Sequence, residues 1–397
     1  MHFHVIGLGP IGSLLAHNLR SVLPAAHRIS LIHKTPAERT ELAATSLKVI
    51  REGNTTSSSN YSHESFDWSS KRKSPVQPRQ DSSPGPIDSL FVALKAQQTV
   101  NAVKTLAPRL SPNSTIVLLQ NGMGVYEELL SRVFRNPEKC PHFILASNTH
   151  GAFISDRFTT IHAGIGSIDF SIVPDPRGRD FEAGLHDESV NVAERRLKLS
   201  DLTSNEDQQL PRYRTLRDTV AALLLLKPLN TMWRPYSELQ ILLRRKLAVN
   251  AVVNPLTSLL NCPNGDLLDQ PTFPSILQDI CDEASAVFSA QLRHDTHLWL
   301  QELKAQGHDT HHIPESTIPD LLTSESLQKE VRRVINITRG NISSTLQDIR
   351  RGRDTEIDYL NGYLRDAGKN HGVATPVNTT LCNLVKLRSG IPVDRML

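Results

Sequence analysis

The stretch HFHVIGLGPIGSLLAHNLRSVL, residues 2–23, decides the fold of this chain. Its first five residues predict a strand, and apolar side chains recur at helical spacing between residues 11 and 19. A short apolar strand follows at residues 29–32. A strand, a glycine turn, a helix and a second strand in this order predict the start of a parallel α/β sheet.

Three glycines in the spacing GxGxxG separate the first strand from the helix. In a Rossmann-type domain, Gly7 permits the tight turn, Gly9 lets a pyrophosphate approach the backbone, and Gly12 brings the helix close to the sheet. The diphosphate of a dinucleotide then lies on backbone amides at the positive end of the helix. The residues predicted to contact the cofactor are Gly7, Leu8, Gly9, Pro10, Ile11 and Gly12. The alternative is a glycine-rich turn in a related fold that binds no nucleotide.

The end of the second strand bears on the choice of cofactor. NAD enzymes usually place Asp or Glu there, about 20 residues beyond the motif, to bind the ribose 2'-hydroxyl. His33 and Lys34 occupy this position, and no acid occurs before Glu38. Because a cation suits a 2'-phosphate, we expect NADPH, with Lys34 favoured over His33 as the phosphate ligand. The alternative is that both are ordinary exposed residues at a strand end.

Polar residues also follow two later strands. Lys95 ends the strand predicted at residues 90–94, and Asn121 follows the strand predicted at residues 115–119. Ligands of open α/β sheets gather at the carboxyl ends of the strands. Both residues are therefore predicted to contact cofactor or substrate, against the alternative that a lysine after a strand is simply solvated.

The composition indicates a globular protein and excludes several classes. Of 397 residues, 39% are hydrophobic and 21% are charged, and a formal net charge of +3 gives no bulk argument for nucleic acid or a membrane surface. No apolar run reaches transmembrane length. The four cysteines lack paired spacing and the sixteen histidines show no HExxH pattern, so no metal site is predicted. A cytoplasmic protein in reducing surroundings is expected.

Two domains are predicted, an α/β domain followed by an all-α domain, with the active site in the cleft between them. The first, residues 1–233, contains polar insertions near residues 51–86 and 175–212. Residues 51–86 are rich in Ser, Pro, Asn and Gln, which predicts a mobile surface segment. The second domain, residues 234–397, has almost no strand pattern. Its helices are predicted at residues 237–260, 273–292, 326–334, 346–371 and 379–387.

A polar stripe marks the first of these helices. Lys246, Asn250 and Asn254 recur four residues apart and therefore share one face, while the residues between them are apolar. Buried polar groups need partners, because leaving them unpaired is costly. A solvated face is the alternative. Asparagine is unfavourable in mid-helix, and Pro255 removes a backbone donor beside Asn254, and both features argue for a functional face.

The segment from residue 246 to residue 265, which ends in NCPNG, resembles the signature of ketopantoate reductases. The resemblance implies that Lys246 protonates the substrate carbonyl while NADPH delivers hydride to its carbon. It also implies that Asn250, Asn254 and Asn264 line the substrate pocket. The GxGxxG motif, Lys95 and the QNGMG turn at residues 120–124 match further family blocks in the same order.

The last family block is formed by NISSTLQD at residues 341–348 and TEIDYLNG at residues 355–362. The resemblance implies pocket roles for Asn341, Ser344 and Glu356. As alternatives, Ser344 is a helix N-cap or Glu356 an exposed helix acid. Glu356 either orients Lys246 or binds the nicotinamide ribose, and the sequence does not separate these roles.

Reduction of 2-dehydropantoate (ketopantoate) to (R)-pantoate, for pantothenate and coenzyme A synthesis, is the activity that the resemblance implies. The alternatives are reduction of another 2-keto acid and a non-catalytic NADP-binding assembly or sensor protein. Expected partners are a small 2-keto acid and, at most, a second copy of the chain, since a monomer and a homodimer are both compatible. His150 and His162 have no place in the family pattern.

Overall fold

The structure is a computed structural model that describes residues 1–43, 45–66, 85–310, 313 and 317–391. It divides into two compact units. The first comprises Met1–Gln120 and Val125–Leu239, and the second comprises Asn121–Gly124 and Gln240–Leu397. The division thus falls after Leu239, compared with the predicted boundary after residue 233, and the short Asn121–Gly124 segment groups with the second unit.

The strands of the described residues are, in chain order, β1 (His2–Ile6), β2 (Arg28–His33), β3 (Leu47–Arg51), β4 (Asn54–Ser58), β5 (Ser62–Ser65), β6 (Ser89–Val92), β7 (Thr115–Leu118), β8 (His142–Asn148), β9 (Gly151–Asp156), β10 (Thr159–Gly164), β11 (Ile168–Ile172) and β12 (Thr231–Trp233). The helices are α1 (Pro10–Val22), α2 (Pro36–Ala43), α3 (Ala96–Leu106), α4 (Val125–Arg132), α5 (Ala183–His186), α6 (Leu199–Leu202), α7 (Leu210–Leu224), α8 (Tyr236–Leu260), α9 (Phe273–Ala305), α10 (Ser324–Ile337), α11 (Ser344–Arg350), α12 (Asn361–Asn370) and α13 (Pro376–Gly390).

The main sheet of the first unit has the strand order β12-β11-β8-β7-β6-β1-β2-β5. All neighbouring strands pair in parallel except β8 and β11, which are antiparallel. The chain leaves β1 to form β2 on one side and returns to form β6 on the other. The carboxyl end of β1 is therefore the topological switch point, where open α/β sheets bind their ligands. Strands β6 and β7 are buried throughout, as expected of central parallel strands.

A second sheet, in the order β4-β3-β10-β9, also belongs to the first unit. Over residues 51–66 the structure corrects the prediction of a mobile surface segment, because β4 pairs with β3 and β5 extends the main sheet beside β2. The polar side chains that suggested mobility have partners here. Ser58 bonds the ring of His17 at 2.9 Å and the hydroxyl of Tyr61 at 2.6 Å. Residues 67–84 of the predicted insertion lie outside the described residues.

The second predicted insertion, residues 175–212, packs onto the first unit through a few anchors. Phe181 and Leu202 are buried in its hydrophobic core. Arg179 bonds Asp207 at 2.6 Å and lies 4.1 Å from the centroid of the Tyr213 ring. Before α7 begins at Leu210, the segment forms the short helices α5 and α6 and a 3-10 turn at Val192–Glu194, so side-chain contacts, more than regular structure, hold it in place.

The second unit is helical, from the larger part of α8 to α13, around its own hydrophobic core. The helix predicted at residues 346–371 is wrong as a single element. Helix α11 ends at Arg350, Gly352 has a φ of +60°, and a 3-10 turn at Ile357–Tyr359 precedes α12. The intervening RRGRDT run offers no apolar side chain to bury, so the helix is not continued. Among the described helices, none is both long and apolar enough to cross a bilayer.

Candidate active site

The glycine turn between β1 and α1 has the close contacts that its motif predicts. Gly7 has a φ of +91°, and a Cβ on it would lie 2.5 Å from the carbonyl carbon of Ala93. A Cβ on Gly12 would lie 2.0 Å from the carbonyl oxygen of Gly7. A Cβ on Gly9 would meet nothing within 4 Å. Two glycines therefore allow the turn to pack, while the third leaves open space beside the backbone.

Helix α1 begins at this open space without a side-chain cap. Gly9 is its N-cap in an extended conformation and Pro10 is its first residue. Gly7, Leu8, Gly9, Pro10 and Ile11 are all half-buried, and Gly12 is buried. An uncapped helix start with backbone amides and positive dipole, next to free volume, fits a dinucleotide diphosphate.

At the carboxyl end of β2, the two predicted phosphate ligands differ in environment. The His33 ring is buried, 3.1 Å from a ring nitrogen of His63 in β5. Burial, His63 and the charge of Arg39 lower the pKa of His33 to about 4, so it is neutral at pH 7. Lys34 is exposed, and its backbone N–H bonds Glu38 at 3.2 Å.

Arg39 is a candidate that the sequence analysis missed. It lies in α2, is exposed, and its charge depresses the pKa of both His33 and His63, although burial is the larger cause at each. Its guanidinium is therefore near the end of β2. The sequence feature that could have indicated Arg39 is a cation about one turn into the helix that follows the second strand.

Lys95 and Asn121 fall in different compact units. Lys95 is the half-buried N-cap residue of α3. Asn121, also half-buried, begins a turn in which Gly122 has a φ of +81°. A Cβ on Gly122 would lie 2.3 Å from the carbonyl oxygen of Tyr359, which accepts a hydrogen bond from Met123 at 3.0 Å. The turn that carries Asn121 is thus packed onto the segment that follows Glu356.

Helix α8 carries Lys246, Asn250 and Asn254 on one face. Asn254 is buried, and Lys246 and Asn250 are half-buried. Desolvation lowers the pKa of Lys246 to about 8, and the charge of Glu356, itself 9% exposed, acts in the opposite direction. The structure therefore brings these two predicted catalytic residues close enough for their charges to interact, although they are far apart in the chain.

The remaining predicted substrate residues cluster around the loop before α11. Asn264 is buried, its backbone N–H bonds the carbonyl of Asn341 at 3.0 Å, and its side chain donates to Thr338 at 3.0 Å. Its Oδ1 has no hydrogen-bond partner within the described part of the chain. Asn341 and Ser344 are exposed. Asn264 and Asn341 are thus in contact, and the former retains an unused acceptor.

The helix-cap alternative for Ser344 is wrong, because Ser343 is the N-cap of α11. Its Oγ accepts a hydrogen bond from the N–H of Leu346 at 3.2 Å and another from Thr257 at 2.7 Å. Thr257 lies in α8 close to Asn254, so this contact fixes the start of α11 against the polar face of that helix. The cap thus lies one residue before the position that this alternative gave it.

One group of described residues has donor atoms close enough for a metal ion. The ligand atoms of His2, His4 and Glu64 lie within 4.8 Å of one another. Arg109 already binds both oxygens of Glu64, at 2.7 and 3.3 Å, and lies 3.3 Å from the His4 ring. A guanidinium in this position supplies the positive charge that a metal would bring, so we assign no metal to the group.

Residues 3–175 match the family described as ketopantoate reductase PanE/ApbA, and residues 239–389 match its C-terminal part. The 2-dehydropantoate 2-reductase of Escherichia coli O157:H7 is 33% identical over 75% of this chain and 73% of the relative. A probable 2-dehydropantoate 2-reductase of Schizosaccharomyces pombe is 27% identical over 98% of this chain and 96% of the relative.

Solved structures show the same fold. A PanE/ApbA family ketopantoate reductase from Ralstonia eutropha JMP134 aligns with a TM-score of 0.65 at 19% identity, covering 98% of this chain and 99% of the other. A D-mandelate dehydrogenase in ternary complex with NADH and anilino(oxo)acetate aligns with a TM-score of 0.65 at 18% identity and the same coverage. With both family segments matched along the chain, this protein is an oxidoreductase that belongs to the ketopantoate reductase family.

Proposed function

We propose that this chain reduces 2-dehydropantoate to (R)-pantoate with NADPH, as a step of pantothenate and coenzyme A synthesis. The observation that carries the proposal is the Lys246–Glu356 pair, in which a half-buried lysine with a pKa of about 8 interacts electrostatically with a buried carboxylate. A lysine at its ordinary pKa is a poor proton donor near neutral pH, and this one is tuned toward that range. The identity of the proposed substrate comes from the relatives named 2-dehydropantoate 2-reductase.

The chemistry divides between the cofactor and the side chains. A reduced nicotinamide dinucleotide, which the glycine turn at Gly7–Gly12 would hold, would supply hydride to the carbonyl carbon. Negative charge then develops on the carbonyl oxygen, where the Lys246 ammonium stabilises it and transfers its proton. Glu356 favours the protonated form of Lys246 before the reaction, since its charge raises the lysine pKa. A second role for Glu356, a hydrogen bond to the nicotinamide ribose, is compatible with this one.

Asparagine and serine side chains would recognise the substrate without adding charge. Asn250 and Asn254, on the face of α8 that carries Lys246, would bond the hydroxyl of 2-dehydropantoate. Asn341 and Ser344 would hold its carboxylate by neutral donors. Asn264, whose buried amide already donates to Thr338, would line the pocket with its unused Oδ1 acceptor. Lys95 and Asn121 would contact the cofactor near its reactive end.

The decisive assay compares Lys246→Ala with the unaltered enzyme on a panel of 2-keto acids, with NADPH and with NADH. We expect turnover of 2-dehydropantoate, and a fall in kcat of about 10²- to 10⁴-fold in the variant with NADPH affinity retained. Lys329→Ala, which removes an exposed lysine of α10 paired with Glu325, is the matched control. Equal turnover in Lys246→Ala refutes the proton-donor role, whereas preference for another 2-keto acid refutes only the substrate.

The preference for NADPH rests on the cations at the end of β2. Removing Lys34 or Arg39 should raise KM for NADPH by about tenfold, because charge-assisted bonds to phosphate are lost, and leave KM for NADH unchanged. Lys48→Ala, an exposed lysine of β3, is the control. Equal effects on both cofactors would assign the 2'-phosphate to other residues.

A further inference from the structure

Pro255 leaves one backbone carbonyl of α8 without its regular helical hydrogen-bond donor. It lies inside the helix and carries no N–H, so the carbonyl of Ala251, four residues earlier, cannot receive its regular helical hydrogen bond. Ala251 is 0% exposed, so bulk solvent does not reach that carbonyl. A buried carbonyl without a partner is costly, and the fold has to supply a donor from elsewhere.

Asn361 supplies that donor. Its side-chain Nδ2 lies 2.9 Å from the Ala251 carbonyl oxygen, and the residue is completely buried at the start of α12. The contact joins two segments that are 110 residues apart in the chain. A side-chain amide thus takes the place of the backbone N–H that the proline removes.

A chain of hydrogen bonds fixes the orientation of the Asn361 amide. Its Nδ2 also donates to Oδ1 of Asn378, at 2.9 Å, and Asn378 is likewise completely buried. The side-chain Nδ2 and the backbone N–H of Asn378 both donate to Glu283 of α9, at 2.8 and 2.9 Å. The acceptor oxygen of Asn378 therefore points to Asn361, and Asn361 must present its nitrogen to both carbonyl oxygens.

The position of this bond relates it to the reaction. Ala251 follows Asn250 directly, between Lys246 and Asn254, and Asn361 follows Glu356 across the Ile357–Tyr359 turn. We propose that Asn361 is a positioning residue, which fastens the polar face of α8 to the segment that carries Glu356 by completing the hydrogen bonding that Pro255 interrupts. This inference rests on the proposed roles of Lys246 and Glu356 and extends them to a residue that touches neither reactant.

The proposal makes a strong prediction about a pair of substitutions. Asn361→Leu keeps the number and branching of the side-chain heavy atoms and removes the donor, so kcat should fall about tenfold while KM for NADPH stays unchanged. Pro255→Ala restores an N–H four residues after Ala251. In the Pro255→Ala background, Asn361→Leu should then reduce kcat by no more than about twofold. If Asn361→Leu lowered kcat only by disturbing the packing of α12, Pro255→Ala in α8 would not be expected to restore kcat.

The experiment is a double-mutant cycle on the full chain, read out by kcat, KM and the urea midpoint of unfolding. Asn370→Leu, an exposed asparagine at the end of α12, is the matched control and should combine additively with Pro255→Ala. If Asn361→Leu does not fold alone, Asn361→Ala takes its place in the same comparison. Additive effects of the Asn361 and Pro255 substitutions on both kcat and the urea midpoint would overturn the proposal.

The two readouts separate this inference from the proposed function. If the unaltered enzyme turns over no 2-keto acid, the proposed function fails, yet coupling of the urea midpoints still decides whether Asn361 replaces the missing donor. If the midpoints couple but kcat responds additively, the bond exists without positioning the reactive groups, and the positioning role is refuted.

Discussion

Lys246 shows what a single residue reveals in the sequence and what it conceals. Its spacing from Asn250 and Asn254 places the three on one helical face, and the sequence predicts that much. The pKa could not be predicted in the same way, because desolvation by the surrounding fold lowers it and Glu356, which is remote in sequence, acts against that shift. Only the family resemblance suggested that partner in advance.

The pH dependence of the reaction follows from this lysine. Burial disfavours the charged ammonium, so Lys246 loses its proton at a lower pH than usual, with a pKa of about 8. In the proposed mechanism, the protonated form of Lys246 is the active one. We therefore expect kcat/KM to be level below pH 8 and to fall about tenfold per pH unit above it. Lys246→Arg, with a side chain that stays protonated, should have low activity without this alkaline decline, and an unchanged decline would assign it to another group.

Gly9 provides a second test at the scale of the residue. An added Cβ meets no protein atom, so Gly9→Ala should alter the free energy of unfolding by less than about 0.5 kcal/mol. The same methyl group would occupy the space proposed for the pyrophosphate, and we expect NADPH affinity to fall about 10- to 100-fold. Calorimetric titration measures this, with Gly85→Ala as a control of equal openness in the same unit. Undiminished affinity would place the diphosphate elsewhere.

At the scale of the element, β5 is the clearest failure of prediction from composition. Its SHES sequence has no apolar residue, and low hydrophobicity predicted a mobile segment. The strand is instead held by backbone pairing with β2 and by the bonds of Glu64 to Arg109 and His4. Such long-range polar contacts leave no periodic signal. By contrast, α8 was predicted within one residue of its observed start, because its apolar spacing is regular and its ends are marked.

The Glu64 contacts give β5 a pH-dependent stability. Burial opposes ionisation of Glu64, but hydrogen bonds from His4 and Arg109 outweigh it and lower the pKa from 4.5 to about 2. The carboxylate therefore stabilises the fold at neutral pH, and this contribution is lost as the pH falls from about 4.5 to about 2. The shift corresponds to roughly 3 kcal/mol as an upper value.

We accordingly expect Glu64→Gln to lower the free energy of unfolding by about 1 to 3 kcal/mol at pH 7 and to have little effect near pH 2. Urea titrations across this range measure the difference. Glu41→Gln is the control, because Glu41 is 40% exposed in its pair with Arg157 and a surface pair contributes about 0 to 1 kcal/mol. A penalty that does not change with pH would show that Glu64 acts through packing alone.

At the scale of the whole molecule, the sequence predicts the division into an α/β and an all-α part correctly, because the spacing of apolar residues differs between the two parts. Strands alternate with helices in the first, and long helical spacing dominates the second. It does not predict that Asn121–Gly124 groups with the helical unit. That grouping depends on the contact of Gly122 and Met123 with Tyr359. The contact requires a glycine at residue 122, and the pattern of hydrophobic residues gives no sign of it.

Each unit has its own buried core, and no residue of the described chain belongs to both. A domain with its own core can unfold as a unit, and a ligand stabilises the unit that binds it. NADPH at about 100 times its Kd should therefore protect the amides of β1, β2 and β6 by roughly 2.7 kcal/mol. The amides of α9 and α13 should be protected much less. Hydrogen exchange with mass spectrometry, in urea below the global midpoint, measures both sets in one sample. Gly9→Ala at the same NADPH concentration should lose most of the protection, and equal protection of the two units in the unaltered chain would show that they unfold together.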